Sequence, residues 1–403
     1  MSMRAPLRGP CWIAARPEFC AGGSMSFLSC CGMMLREMHA RGWHDMLLIA
    51  PKNNQGDVMK LTWKQFAIAL GLFLLGYFSF NGKLFAQPVE KQKVSIAVGG
   101  KNLLYYLPLT IADQLGYFKD EGLQVEISDF AGGAKALQAL VGGSADVVSG
   151  AFEHTINMQS KGQIITAFVL QGRAPQIVLG ISNKTMPNYK TVADLKGKKI
   201  GVTAPGSSTN MVANFVLAKA GLKPTDVSII GVGTASGALS AMRSGQIDAI
   251  CNLDPVITML EQKNDIKVVT DTRTLKDTND LFGGPMPAAT LYASEAFLKK
   301  NPQTAQALTN AMVRALHWLQ KAGPSEIIKV VPESYLLGDR ALYIAAFMKV
   351  REALSPDGTI PEAGPRVALK ALQAFEPDLA GKNIDLSKTY TNELVKKANL
   401  KYK

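Results

Sequence analysis

Residues 131–154, AGGAKALQALVGGSADVVSGAFEH, decide the fold. Two glycines open the stretch. Ala136, Leu137, Leu140 and Val141 then recur at helical spacing, and Gly142-Gly143 end the pattern. Asp146 leads into a β-branched run, Val147-Val148, that stops at Ser149-Gly150. The order is loop, helix, turn, buried strand, loop. Both loops fall on one edge of a sheet, the edge at which open α/β sheets bind ligands. The first loop also opens a helix, so free backbone N–H groups and the positive end of the helix dipole point there.

The stretch has an echo. ALQALVGGSADVV from Ala136 aligns with ALSAMRSGQIDAI from Ala238, which places Gly143 on Gly245 and Asp146 on Asp248. The flanks recur in the same order, IAVGG with IGVTA and EGLQVEI with AGLKPTDVSII. Strands are expected at 94–98, 123–127, 164–170 and 177–181, and again at 199–202, 227–230 and 247–251, with helices between them. Strands alternating with helices imply parallel pairing, and two such cycles imply an α/β chain of two similar lobes with a ligand cleft between them. The crossings are expected near 182–184 and 286–290. The first lobe is then 87–183, the second 184–288, and 289–403 returns to the first, starting with Leu291 and Tyr292.

Charge narrows the partners. The chain of 403 residues carries a formal +12, of which 87–403 holds 35 basic and 28 acidic residues. These charges are scattered rather than gathered on a face, which argues against nucleic acid. Four cysteines (Cys11, Cys20, Cys30, Cys31) precede residue 59, and Cys251, in the apolar run DAICNL, reads as a buried small residue.

A leader is expected. Lys60 and Lys64 precede a 15-residue apolar run, FAIALGLFLLGYFSF, and a polar segment ending Leu84-Phe85-Ala86. This is the pattern of a secretory signal peptide over 59–86 that starts at Met59, with the protein exported to the periplasm. Residues 1–58 are then an upstream extension ahead of the true start.

The candidate site residues cluster at the predicted sheet edges. His154 follows a strand's C-terminal loop beside Glu153 and is placed in the cleft. Gly206-Ser207-Ser208-Thr209 brings three hydroxyls to a helix start, where capping needs one. Asp254 either accepts a ligand bond or closes a turn with Pro255. Arg173 and Lys101 are candidate anion clamps or solvated loop cations. Tyr105 and Phe152 leave room for a ring-bearing acid. His317 sits within a helical apolar pattern and reads as structural. The sequence holds no cysteine–histidine metal spacing, no phosphate-binding P-loop and no nucleophile elbow.

FAGGAKALQALVGGSADVVSGAFEH, KTVADLKGKKIGVTAPGSSTNMVANFVLAKAGL and SGQIDAICNLDP, with LTIADQLGYFKDEGLQVEI ahead of them, resemble the solute-binding proteins of the nitrate/sulfonate/taurine class of ABC importers. The resemblance runs over residues 93–320. It implies a two-lobed type II periplasmic-binding-protein fold closing by a hinge on a small anionic solute, such as a sulfonate, nitrate, taurine or an aromatic carboxylate. It implies an ABC permease and ATPase as partners, no cofactor and a monomer. The family's binding positions fall on Lys101-Asn102, Gly132-Gly133, Gly150-Ala151-Phe152, Gly206-Ser207-Ser208 and Asp254. Leu253 stands where sulfonate binders often carry a polar or aromatic residue, and Glu153-His154 is not a general family feature. Thiamin-pyrimidine synthesis enzymes resemble the same fold but carry a cysteine-rich motif and a catalytic histidine, whereas this chain has one cysteine after residue 58. A receptor that senses without transport is the other alternative.

Overall fold

A computed structural model describes residues 88–403. The expected upstream extension and signal peptide lie outside the described residues. Strands β1 (Lys93–Val98), β2 (Gln124–Asp129), β3 (Val147–Ala151) and β4 (Ile165–Leu170) build the first sheet. Helices α1 (Leu107–Gln114) and α2 (Tyr117–Asp120) join β1 to β2, α3 (Gly133–Val141) joins β2 to β3, and α4 (Glu153–Ser160) joins β3 to β4. The second sheet holds β5 (Ile177–Ser182), β6 (Lys199–Val202), β7 (Ser228–Gly231), β8 (Ala249–Leu253) and β9 (Ile266–Asp271). Helices α5 (Ser208–Lys219), α6 (Ser236–Ser244) and α7 (Val256–Gln262) lie among them, and α8 (Leu275–Phe282) follows. Strand β10 (Ala289–Ser294) then returns to the first sheet.

The two sheets are topological copies. Their orders are β2-β1-β3-β10-β4 and β7-β6-β8-β5-β9. In the first, β1 runs parallel to β2 and β3, and in the second β6 runs parallel to β7 and β8. Each sheet receives one antiparallel strand, β10 between β3 and β4 and β5 between β8 and β9. The central strands β3 and β8 are buried at every residue, as expected of parallel-sheet strands covered on both faces. Full burial of each such valine or isoleucine contributes roughly 1.5–3 kcal/mol.

Strand β5 corrects the expected domain boundary. The sequence placed 177–181 with the first lobe, but β5 pairs with β8 and β9. The first crossing therefore runs through 171–176, and the second through 283–288. The two crossings bond to each other. The Ala288 N–H donates to the Gly172 carbonyl at 3.0 Å, and the Gly172 N–H to the Ala289 carbonyl at 3.1 Å.

The internal echo has a physical basis. Gly143 and Gly245 both take a left-handed conformation, φ 75° and 83°, just past the ends of α3 and α6. Glycine meets that need without a Cβ penalty. Asp146 Oδ2 accepts the Ser95 N–H at 2.9 Å, and Asp248 Oδ2 accepts the Lys199 N–H at 3.0 Å. Each aspartate thus ties the start of a central strand to its parallel neighbour, one in each lobe.

The remaining helices are α9 (Glu295–Lys300), α10 (Pro302–Lys321), α11 (Pro324–Val330), α12 (Arg340–Val350), α13 (Gly364–Gln373), α14 (Pro377–Ala380) and α15 (Glu393–Lys401). Helix α10 packs on α1 and α15. The sequence assigned this whole tail to the first lobe, yet α12 packs on α7 of the second, where Lys349 Nζ meets Glu261 at 2.7 Å. No helix among the described residues is long and apolar enough to cross a membrane.

Candidate functional site

Helices α3, α4 and α5 all begin at the edge where the two sheets face each other, so their unpaired N-terminal N–H groups gather there. The lobes touch directly across this cleft. Ser207 Oγ of the second lobe accepts the Ala134 N–H of the first at 2.9 Å. Asn102 Nδ2 donates to the Thr234 carbonyl at 3.0 Å, and the Leu104 N–H to the Asp254 carbonyl at 3.2 Å. Glycine makes this approach possible: a Cβ on Gly132 would stand 2.9 Å from the Ala204 Cβ of the opposite lobe. A narrow pocket remains, lined by Gly99, Leu103, Tyr105, Gly133, Ser208 and Leu253 among others.

The layer behind this pocket is polar and buried. Glu153 opens α4 and is 3% exposed. Burial pushes its carboxyl up to about 7, the Ser208 hydroxyl partly offsetting this and the charge of Glu376 adding to it. His154 is 2% exposed, and burial pushes its imidazole down to about 4, with the Gly206 peptide acting in the opposite sense. His154 Nδ1 and the Tyr292 hydroxyl form a 2.9 Å hydrogen bond. Glu153 Oε1 and His154 Nε2 are buried with no hydrogen-bond partner. Tyr105 and Tyr106 pack edge to face at 4.8 Å, and burial together with the Glu153 charge raises both hydroxyls.

The structure thus brings Tyr105, Gly132, Gly133, Glu153, His154, Gly206, Ser207, Ser208 and Thr209 to the cleft, with Asn102 clasping Thr234 beside them. Other expected site residues lie elsewhere. Arg173 is in the first crossing, where Nε and Nη2 both donate to the Glu352 carbonyl, so its guanidinium ties hinge to tail. Lys101 lines a separate pocket with Tyr106, Asp113 and Tyr335. Phe152 is wholly buried in the core, as is Ala151, because both sit at the end of a strand covered on two faces. Gly150 is packed under Tyr292, whose hydroxyl would be 2.7 Å from an added Cβ. Thr209 does line the cleft pocket, but its hydroxyl turns back to Thr203, accepting its N–H at 3.0 Å. The Asp254 carboxylate accepts the Thr258 N–H at 2.9 Å and faces Arg273, so it is spent inside the second lobe.

Cys251 is buried and its thiol is pushed up by that burial, which leaves it inert. Among the described residues no group of three His, Cys, Asp or Glu is placed to hold a metal ion. The arrangement offers hydrogen bonds and enclosure.

The model of the NMT1-like family matches residues 88–331. The chain belongs to the NMT1-like family. A solved structure from Bordetella bronchiseptica RB50 is 66% identical to this NMT1-like chain, with a TM-score of 0.78 over 78% of this chain and 99% of that one. The alkanesulfonate-binding protein SsuA of Xanthomonas axonopodis pv. citri, solved with MOPS, has a TM-score of 0.59 at 20% identity, over 76% of this chain and 100% of its own. The nitrate-binding protein NrtA of Synechocystis PCC 6803 has 0.59 at 16% identity, over 79% and 90%. These last two share the periplasmic-binding-protein fold with the NMT1-like chain.

Two residues of this NMT1-like site escaped the sequence reading. Tyr292 arrives on β10, 138 residues after its partner His154. Its one visible signal was its place in the strand that returns the chain to the first lobe. Tyr106 was hidden in an apolar helical run, and its hydroxyl would be 3.6 Å from a Cβ on Gly133.

Proposed function

We propose that the protein is the periplasmic solute-binding component of an ABC importer, capturing a small polar solute between its lobes and presenting it to a membrane permease driven by an ATPase. The observation that carries this reading is the cleft itself. Two topologically equivalent lobes, joined by crossings at 171–176 and 283–288, meet through Ser207–Ala134, Asn102–Thr234 and Leu104–Asp254 around a pocket lined by the Ser207, Ser208 and Thr209 hydroxyl residues. Fold relatives named for alkanesulfonate and nitrate binding support it. The mechanism is a hinge motion in which the solute shifts the population toward the closed form. Closure excludes water, so each fixed donor or acceptor counts for more than it would in solvent.

Native mass spectrometry of the protein purified from its own periplasm tests this. The expected result is a stoichiometric small-molecule adduct that denaturation releases, together with co-purification of a permease. Bare protein from cells in every growth medium would count against capture. An adduct with no permease partner would favour a sensing receptor.

A further inference from the structure

The cleft wall carries more than a general capacity to bind. Glu153 Oε1 and His154 Nε2 are both buried and both unpaired. Buried polar atoms are nearly always satisfied in folded proteins, and these two neighbouring orphans sit just behind the residues that line the pocket. Their neighbours fix what a partner would offer them. Ser208 and Tyr105, which line the pocket, interact with the Glu153 carboxyl. A Cβ on Gly133, another lining residue, would lie 3.3 Å from His154 Cε1. No lysine or arginine is among the residues that line the pocket. Lys101 and Arg173 lie elsewhere, and the buried Arg273 is already held by Asp254, Glu261 and Asp271.

We propose that Glu153 and His154 tune this cleft to an uncharged solute bearing an N–H group, an amide or a urea, in preference to an oxyanion. A carboxyl group and an amide are complementary in either protonation state. As a carboxylate, Glu153 accepts the amide N–H. As a carboxylic acid, it donates its O–H to the amide carbonyl while its other oxygen accepts the N–H. An oxyanion offers no hydrogen to Oε1, and it meets a second negative charge whenever Glu153 is ionised. A site built around a buried acceptor rejects a ligand that lacks the matching donor, because the acceptor is then left unpaired.

This inference rests on the solute-binding reading, and its test is separable from it. Calorimetry at pH 7.5 compares shape-matched probes, acetamide with acetate and benzamide with benzoate, alongside methanesulfonate and nitrate, on the wild-type protein and on Glu153→Gln. The wild type is expected to bind each amide at least about tenfold more tightly than its carboxylate, and Glu153→Gln to collapse that ratio. The wild-type ratio needs no variant, so a misfolded Glu153→Gln leaves the test intact. Methanesulfonate, nitrate or a carboxylate binding the wild type as tightly as the amides would overturn the inference, as would a ratio that survives in Glu153→Gln. Binding of no probe would also overturn it, while a native adduct of another chemistry would leave solute capture standing.

Discussion

Ser207 Oγ accepts the Ala134 N–H across the cleft at 2.9 Å. One residue is the N-cap of α5 in the second lobe, and the other lies in the first turn of α3 in the first lobe. The bond exists only when the lobes are together, so it belongs to the closed state. Ser207→Ala removes the acceptor, and Ala134 finds water once the cleft opens. A net loss of about 1 kcal/mol from the closed form is expected, close to fivefold in the closing equilibrium. Solution scattering of wild type and variant checks this: the variant has the larger radius of gyration and an unchanged melting temperature to within a few degrees.

Gly132 is a steric test of the same closure. Its φ of 170° is extended backbone that any residue adopts, so alanine costs the first lobe little on its own. Its Cβ would nevertheless stand 2.9 Å from the Ala204 Cβ and 3.1 Å from Ser207 Oγ, both across the cleft. Gly132→Ala is expected to wedge the lobes apart and weaken solute binding by roughly fivefold or more, on the order of 1–3 kcal/mol as for overpacking elsewhere. Calorimetry with the natively bound solute measures it, and unchanged affinity would sink the proposed closing geometry.

The buried pair gives a pH signature of opposing signs. Glu153 rises from 4.5 to about 7, so the folded protein binds more protons than the unfolded chain in that window, and stability falls as pH rises through it. His154 drops from 6.5 to about 4, so the folded protein binds fewer protons there, and stability rises with pH across that range. Each contribution is on the order of 3 kcal/mol, and between pH 4.5 and 6.5 they oppose each other. Glu153→Gln is expected to leave stability rising from pH 4 to 6.5, and His154→Gln to leave it falling from 4.5 to 7. Urea unfolding across pH measures both slopes. Identical profiles for wild type and Glu153→Gln would contradict the burial of the carboxyl.

Arg273 holds the second lobe together beneath the cleft. Its guanidinium meets Asp254 at 3.4 Å, Glu261 at 2.9 Å and Asp271 at 2.6 Å, and Asp254 is almost wholly buried. Arg273→Met leaves a buried carboxylate without its cation. A loss of about 3–5 kcal/mol is expected. Lys349→Ala, which removes a half-exposed partner of Glu261, should cost under about 1 kcal/mol. Comparable losses for the two variants by chemical denaturation would contradict this ranking.

The repeated Asp146 and Asp248 show why the two-lobed α/β fold was legible in the sequence. Local pattern, helix-ending glycine and strand-opening aspartate recur together, and each does the same physical work in its own lobe. The Ser207 loop and the Glu153–His154 pair were legible because they sit at the ends of short, strongly patterned strands. What failed depended on pairing across long separations. Strand β5 reads like its neighbours in sequence, and its partners β8 and β9 lie far downstream. Arg173 has a loop context that fits an anion clamp, and only the folding of 351–353 onto the crossing reveals its use. Tyr292 could be placed in the first lobe but not against His154, because that contact depends on the register of β10 against β3.

Hinge closure is tested most directly by an interlobe distance. Spin labels at the exposed Lys135 on α3 and Lys223 after α5 report it without touching the cleft. Pulsed dipolar spectroscopy should give a longer and a shorter distance in the solute-free protein, with the shorter one dominant once the natively bound solute is added. A single distance that the solute leaves unchanged would contradict capture by closure.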